Sequence, residues 1–203
     1  PYEYDFGFPA THVVALQGNE KWTEFDSSDP YEDIAHAQEI MEDTCEITRA
    51  ICTVQTFRNL VKSTSIRKAL HMHHHEDVKV TKSAVRSYIL EDLGVSFLVV
   101  GDKFRLEEKD ENGELQLVEH PYWQDGIVTF IPNGFLGKTH WGTTPEEHDL
   151  LTGTSQAKVA VVDKGIAVTT YTEPHPVNLV TLVSAIVLPS FEQMNTVCIM
   201  KVY

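Results

Sequence analysis

Phe130-Ile131-Pro132-Asn133-Gly134, then Leu136-Gly137-Lys138-Thr139-His140-Trp141-Gly142-Thr143-Thr144-Pro145-Glu146-Glu147, is the stretch from which the rest of the chain is best read. Ile127 to Pro132 predicts a strand. Gly134, Gly137 and Gly142 predict a loosened loop around His140 and Trp141. Thr144 to Leu151 predicts a short helix, with a threonine able to accept from the first-turn N–H groups and a proline next to it. Beyond it, Val159 to Val162 and Ile166 to Tyr171 read as strands joined by the turn Asp163-Lys164-Gly165. Val177 to Leu188 is rich in strand formers, and Thr196 to Val202 predicts a closing strand.

Upstream, Tyr2, Tyr4, Phe6 and Phe8 lie at strand spacing, and Asn19 to Asp29 reads as a polar loop around Trp22 and Phe25. A helix is then announced: Asp29 as its cap, Pro30 at the first turn, Glu32 and Asp33 at the positive end of the dipole. Ile34, Ala37, Met41 and Cys45 form its apolar stripe. Glu39, Glu42, Asp43 and Glu46 form an opposing acidic face, with Glu42 and Glu46 repelling each other one turn apart. Next come a short strand over Ile47 to Thr53 and helices over Val54 to Ser63 and Ser65 to Leu70. A helix over Thr81 to Leu93 follows, with Val85, Tyr88, Ile89 and Leu93 on one face and Gly94 as its stop. Val95 to Val100 predicts a buried strand. Phe104 to Glu108 and Glu114 to Val118 predict a hairpin about Asn112-Gly113.

The 203 residues suffice for one sizeable domain or two small lobes, and 42% hydrophobic with 23% charged residues is ordinary globular composition. Val177 to Leu188 is interrupted by Asn178, Thr181 and Ser184 and falls short of the ~20 residues of a bilayer span, so no membrane segment is expected. No secretory signal is read at the N-terminus. Cys45, Cys52 and Cys198 are an odd set without paired spacing; buried, reduced thiols are expected rather than disulfides or a zinc site. A formal net charge of -14 opposes direct contact with nucleic-acid phosphates and suits a basic partner or a container wall.

Nucleotide-binding glycine loops, the Gly-x-Ser-x-Gly elbow and the His-Glu-x-x-His helix are all missing from the sequence. The carboxylate pairs Glu107 with Glu108, Asp110 with Glu111, and Glu146 with Glu147 sit where turns or helix starts explain negative charge. The one metal-like cluster is His71, His73, His74 and His75 with Glu76 and Asp77; adjacent imidazoles on one loop rarely close a tetrahedral site, so a polar loop is the expectation. No catalytic residue, cofactor or metal is assigned.

The motifs quoted first, together with Glu173-Pro174-His175-Pro176-Val177, Leu188-Pro189-Ser190-Phe191-Glu192, Tyr4-Asp5-Phe6-Gly7, Trp22 and the Asp29-to-Ile34 helix start, resemble the lambda-type major capsid protein E family of tailed phages and prophages. The resemblance implies an α+β subunit of the Hong Kong 97-like capsid fold. Its peripheral lobe would take residues 1–46, with a spine helix over about 30–46, and 156–189; its axial lobe would take 47–155 and 190–203. The N-terminal arm and extended loop that such subunits carry before the spine helix are not found in these residues. It further implies a self-assembling structural protein of an icosahedral shell, not an enzyme, located in the virion after assembly in the host bacterial cytoplasm. The implied partners are identical subunits, scaffolding or portal proteins, and encapsidated DNA held without sequence-specific contact. Glu39, Glu42, Asp43 and Glu46 become candidate subunit-interface residues. Two alternatives remain: a phage-derived binding or adaptor module using Trp123 and Trp141, and a metal-dependent hydrolase using the His71-to-Asp77 cluster.

Overall fold

Helix α1 (Pro30–Met41) starts where the sequence punctuates it, with Pro30 in the first turn and Glu32 and Asp33 behind it. Ile34, Ala37 and Met41 form its fully buried stripe. In the computed structural model, which describes residues 6–70, 80–109, 113–153, 158–163, 165–175 and 177–203, α1 belongs to the first of two compact units. Unit 1 comprises Pro1–Gly134 and Gln193–Tyr203, and unit 2 comprises Phe135–Glu192.

Unit 1 is built on a five-stranded sheet of β1 (Val13–Ala15), β2 (Arg49–Thr53), β3 (Ser96–Val100), β6 (Ile127–Ile131) and β11 (Cys198–Lys201), in the order β1-β11-β6-β2-β3. The two edge pairs are parallel and the two central pairs antiparallel. A parallel step needs a crossover, and between β2 and β3 it is made by α2 (Val54–Lys62), α3 (Thr64–Leu70) and α4 (Lys82–Leu93). Thr53 and Thr81 cap α2 and α4 by accepting from the N–H groups of Thr56 and Ala84. Gly94 ends α4 at φ 70°, a conformation glycine adopts without strain. β6 is buried on both faces at Val128, Thr129 and Phe130. Trp22, Phe57, Leu60, Ile66, Val85, Ile89 and Met200 complete the core, each fully buried large side chain adding about 1.5–3 kcal/mol of transfer free energy. A separate two-stranded hairpin, β4 (Lys103–Lys109) and β5 (Leu115–Pro121), is tied by Arg105 donating to Glu119 at 2.8 Å.

Unit 2 is an antiparallel sheet of β7 (Gly137–Gly142), β8 (Lys158–Asp163), β9 (Ile166–Pro174) and β10 (Val177–Phe191), ordered β7-β10-β9-β8, with α5 (Pro145–Thr152). The 15-residue β10 pairs with β9 from Val177 to Ala185 and with β7 from Ile186 to Phe191. Pro189, which has no N–H to give, falls in the part of β10 that only β7 accompanies. Thr144, fully buried, caps α5 by accepting from the Glu147 N–H, and Ser184 donates to the Glu146 carboxylate at 2.8 Å.

Several expectations change. The spine helix ends at Met41 rather than near residue 46: Glu39, Glu42, Asp43 and Glu46 bring unrelieved repulsion to its negative dipole end, and residues 42–44 turn back on Met41. Asp29 holds the cap position without a side-chain bond to the helix. Phe6–Pro9 form no strand, and Pro1–Asp5 lie outside the described residues. β3 is an edge strand with Leu98 57% exposed, not a buried one. The glycine-rich stretch is strand β7, not a loop, because Gly137 lets the backbone come close to β10: a Cβ there would lie 1.9 Å from the Ser190 carbonyl oxygen. Glu107 and Glu108 lie within β4, not in a turn.

The two compact units are a division by packing within the chain, distinct from the peripheral and axial lobes (1–46 with 156–189, and 47–155 with 190–203) that the resemblance implies. α1 lies in unit 1 because Ile34, Ala37 and Met41 enter the same core as Phe57, Ile66 and Val85, whereas the strands within 156–189 belong to unit 2.

Candidate subunit-interface surfaces

The acidic surface forms where α1 ends. Glu39, Glu42, Asp43 and Glu46 are all exposed. Glu39, Glu42 and Glu46 line a groove of about 550 Å3 with Ala35, Gln38, Cys45 and Ile47. Its floor is held from two sides: Gln38 donates to the Leu93 carbonyl at 2.8 Å, and the Cys45 thiol lies 3.5 Å from the Thr196 carbonyl. The His36 Nδ1 lies 3.5 Å from the Glu39 carboxylate. Of these four carboxylates only Glu39 is within the helix; Glu42, Asp43 and Glu46 follow its end.

A half-buried carboxylate, Asp33, sits at the other end of α1. Trp22, fully buried, donates its Nε1–H to Asp33 at 2.8 Å. Burial pushes the Asp33 carboxyl up to about 6 against the opposing effect of that hydrogen bond. Tyr31 donates its hydroxyl to Asp92 at the end of α4, and this bond is the main reason its phenol is raised to about 12.

In unit 2 the pleat sorts side chains onto two faces. Val177, Leu179, Val183 and Val187 alternate on one face of β10, and Trp141 of β7, directly opposite Val187, shares it. Val177, Leu179 and Val183 are 79%, 74% and 68% exposed, and Trp141 is 51% exposed. Ala167 and Thr169 of β9, on the opposite face, are buried, and α5 packs against β8 and β9. That face is covered over β9, whereas β10 carries exposed apolar side chains on both faces, with Leu182, Ile186 and Leu188 52%, 46% and 64% exposed on the side of Ala167 and Thr169; so much exposed apolar surface marks an interaction surface in soluble proteins. Sequence reasoning missed it. The only available signal was that Val177 to Leu188 is apolar at both odd and even positions, unlike a strand with one solvated face.

The remaining candidates are dispersed among the described residues. Cys52 and Cys198 are buried, which pushes their thiols up to about 12 and about 11, away from the reactive thiolate; Cys45 is half-buried. Trp123 lines a cavity of about 370 Å3 with Thr53, Asp102 and Asp125 in unit 1, whereas Trp141 belongs to unit 2. Glu146 and Glu147 occupy the first turn of α5. His71, His73, His74 and His75, with Glu76 and Asp77, lie outside the described residues, as do Asp110 and Glu111. Among the described residues no three His, Cys, Asp or Glu side chains converge as metal ligands, and no helix is long and apolar enough to cross a membrane.

The mixed α+β fold of two units is shared with solved structures. A phage-related protein from Bordetella bronchiseptica RB50 superposes with a TM-score of 0.60 at 15% identity, covering 96% of this chain and 57% of that one. The candidate capsid protein of a prophage of E. coli CFT073 superposes with a TM-score of 0.66 at 14% identity, covering 98% and 55%. The chain therefore spans a little over half the length of these solved structures. No curated protein matches it. The profile of phage major capsid protein E matches residues 1–202, and the chain belongs to that family.

Proposed function

We propose that this chain is the folded body of a major capsid subunit that self-assembles into an icosahedral shell around phage DNA. The observation that carries this reading, in a member of the capsid family, is the open apolar face of Val177, Leu179, Val183, Val187 and Trp141. A sheet that leaves this much apolar surface in water is stabilised when neighbouring subunits cover it. The acidic end of α1 would supply a second, charged contact with an identical subunit. The net charge of -14 fits a wall over which DNA moves without releasing counterions into tight phosphate contacts. No catalytic step is assigned to the chain, and scaffolding and portal proteins would be its partners during assembly in the host cytoplasm.

Expression of the full gene product followed by negative-stain microscopy tests the reading. Icosahedral particles or hexameric and pentameric capsomers are expected; a product that stays monomeric at all concentrations overturns it. Charge reversal at Glu42 and Glu46 should reduce particle yield, and unchanged yield would remove the acidic contact from the proposal.

A further inference from the structure

Charge is distributed unevenly within unit 1. From Glu20 to Glu46 the chain carries ten carboxylates and one lysine, whereas from Val54 to Leu70 it carries four basic residues and no carboxylate. The second stretch is the α2–α3 corner. Arg58, Lys62 and Lys68 are exposed there, and Arg67 is half-buried. Among the described residues none of the four makes an ion pair. Arg58 donates to Gln55, Arg67 donates to Thr64, and the Lys62 ammonium lies over the Phe25 ring, 5.2 Å from its centre.

The corner is fixed to the beginning of α1. Ser63 donates to the Ser28 carbonyl and Thr64 to the Asp26 carboxylate, each at 3.0 Å. The acidic groove lies at the other end of the same helix, about 18 Å away for twelve residues at 1.5 Å per residue. One unit therefore presents, among the described residues, a cationic corner without ion pairs and, at the other end of the same helix, an anionic groove in which only Glu39 has a described ion-pair partner, His36. The groove, at about 550 Å3, is of a size that takes side chains of a partner. Basic side chains are the natural counter-charge for its carboxylates.

We propose that the α2–α3 corner of one copy, through Arg58, Lys62 and Lys68, docks into the groove formed by Glu39, Glu42 and Glu46 of a second copy. The contact is head-to-tail: each copy uses its corner on one neighbour and its groove on the other, the heterologous geometry that closes into rings. It rests on the shell reading above and names the surface that the acidic residues meet.

The test is a charge exchange in the full gene product, read by sedimentation and negative-stain microscopy. E39K/E42K/E46K alone and R58E/K62E/K68E alone should each weaken capsomer formation at least about tenfold, as expected when like charges oppose across an interface. The sextuple variant carrying both reversals should recover to within about threefold of wild type, and an equimolar mixture of the two triple variants should co-assemble. Raising salt from 0.1 to 1 M, which shortens the screening length from about 10 to 3 Å, should weaken the wild-type contact. Triple variants that assemble like wild type, or a folded sextuple variant as defective as either triple, overturn this contact while leaving the shell reading intact. Wild-type assembly indifferent to salt overturns it by a route that needs no variant. A wild-type product that never associates overturns both.

Discussion

Gly137 leaves no room for a side chain. Its added Cβ would overlap the Ser190 carbonyl at 1.9 Å, so backbone and not a movable side chain would have to yield. Gly137→Ala should separate the start of β7 from the end of β10 and cost about 1–3 kcal/mol or more, the range for forced overpacking. Hydrogen exchange should show faster labelling at Lys138 to His140 and Leu188 to Phe191; unchanged exchange would refute the close approach. Asp33 offers a test of opposite character. Its folded pKa of about 6 exceeds the ordinary carboxylate value of about 4, so folding favours the protonated form. The stabilisation is complete below about pH 4 and is lost as pH rises through about 6. Asp33→Asn keeps an acceptor for Trp22 without the charge, so the variant should gain on wild type in melting temperature between pH 4.5 and 7. Parallel melting curves across that range would exclude burial of the Asp33 charge. Neither residue's role was legible in the sequence. A glycine that permits contact reads like a glycine that loosens a loop, and the partner of Asp33 is eleven positions away.

At the scale of elements, what was legible is what chain neighbours alone decide. α4 was read almost to its limits because Thr81, the Val85 and Ile89 stripe and Gly94 are local signals. α5 was read from Thr144 and Pro145 in the same way. Thr144→Ala should therefore cost about 1 kcal/mol as a lost cap, measured as a shift in the denaturant midpoint; since the hydroxyl is also buried, no change would be hard to reconcile with this geometry. What was illegible depends on where an element ends up. Ser96-Phe97-Leu98-Val99-Val100 has the apolar run of a central strand, yet it closes the sheet edge and leaves Leu98 in solvent. The exposure of Glu39, Glu42, Asp43 and Glu46 could be read because clustered charge needs only sequence. The open face of β10 could not, because an apolar residue in a strand is indistinguishable from a core residue until its neighbours are known.

Across the whole molecule the two units differ in how much they bury. Every member of the main hydrophobic cluster lies in unit 1, and Ala167 is the one buried apolar side chain of unit 2 among the described residues. A sheet with so little interior opens locally at low free energy. In unassembled protein the β10 amides should exchange much faster than those of β6, and in assembled particles they should slow by at least about a hundredfold; equal exchange in both states would mean that nothing covers the open face. The division into units was hidden from sequence for a topological reason. Unit 1 is completed by Cys198–Lys201, which returns after all of unit 2 to lie between β1 and β6.

That return makes β6 and β11 an antiparallel pair, Phe130 opposite Cys198, with unit 2 occupying the place of the turn that would normally join them. Viewed as architecture, the protein is a hairpin whose tip has been expanded into an entire second unit. The tip is therefore an exchangeable position: a short glycine-containing turn between Gly134 and Gln193 should leave a chain that still folds with the Trp22 core intact, observable as native tryptophan fluorescence and cooperative unfolding. Foreign sequence whose ends lie about one strand spacing apart, roughly 5 Å, should be tolerated there for the same reason.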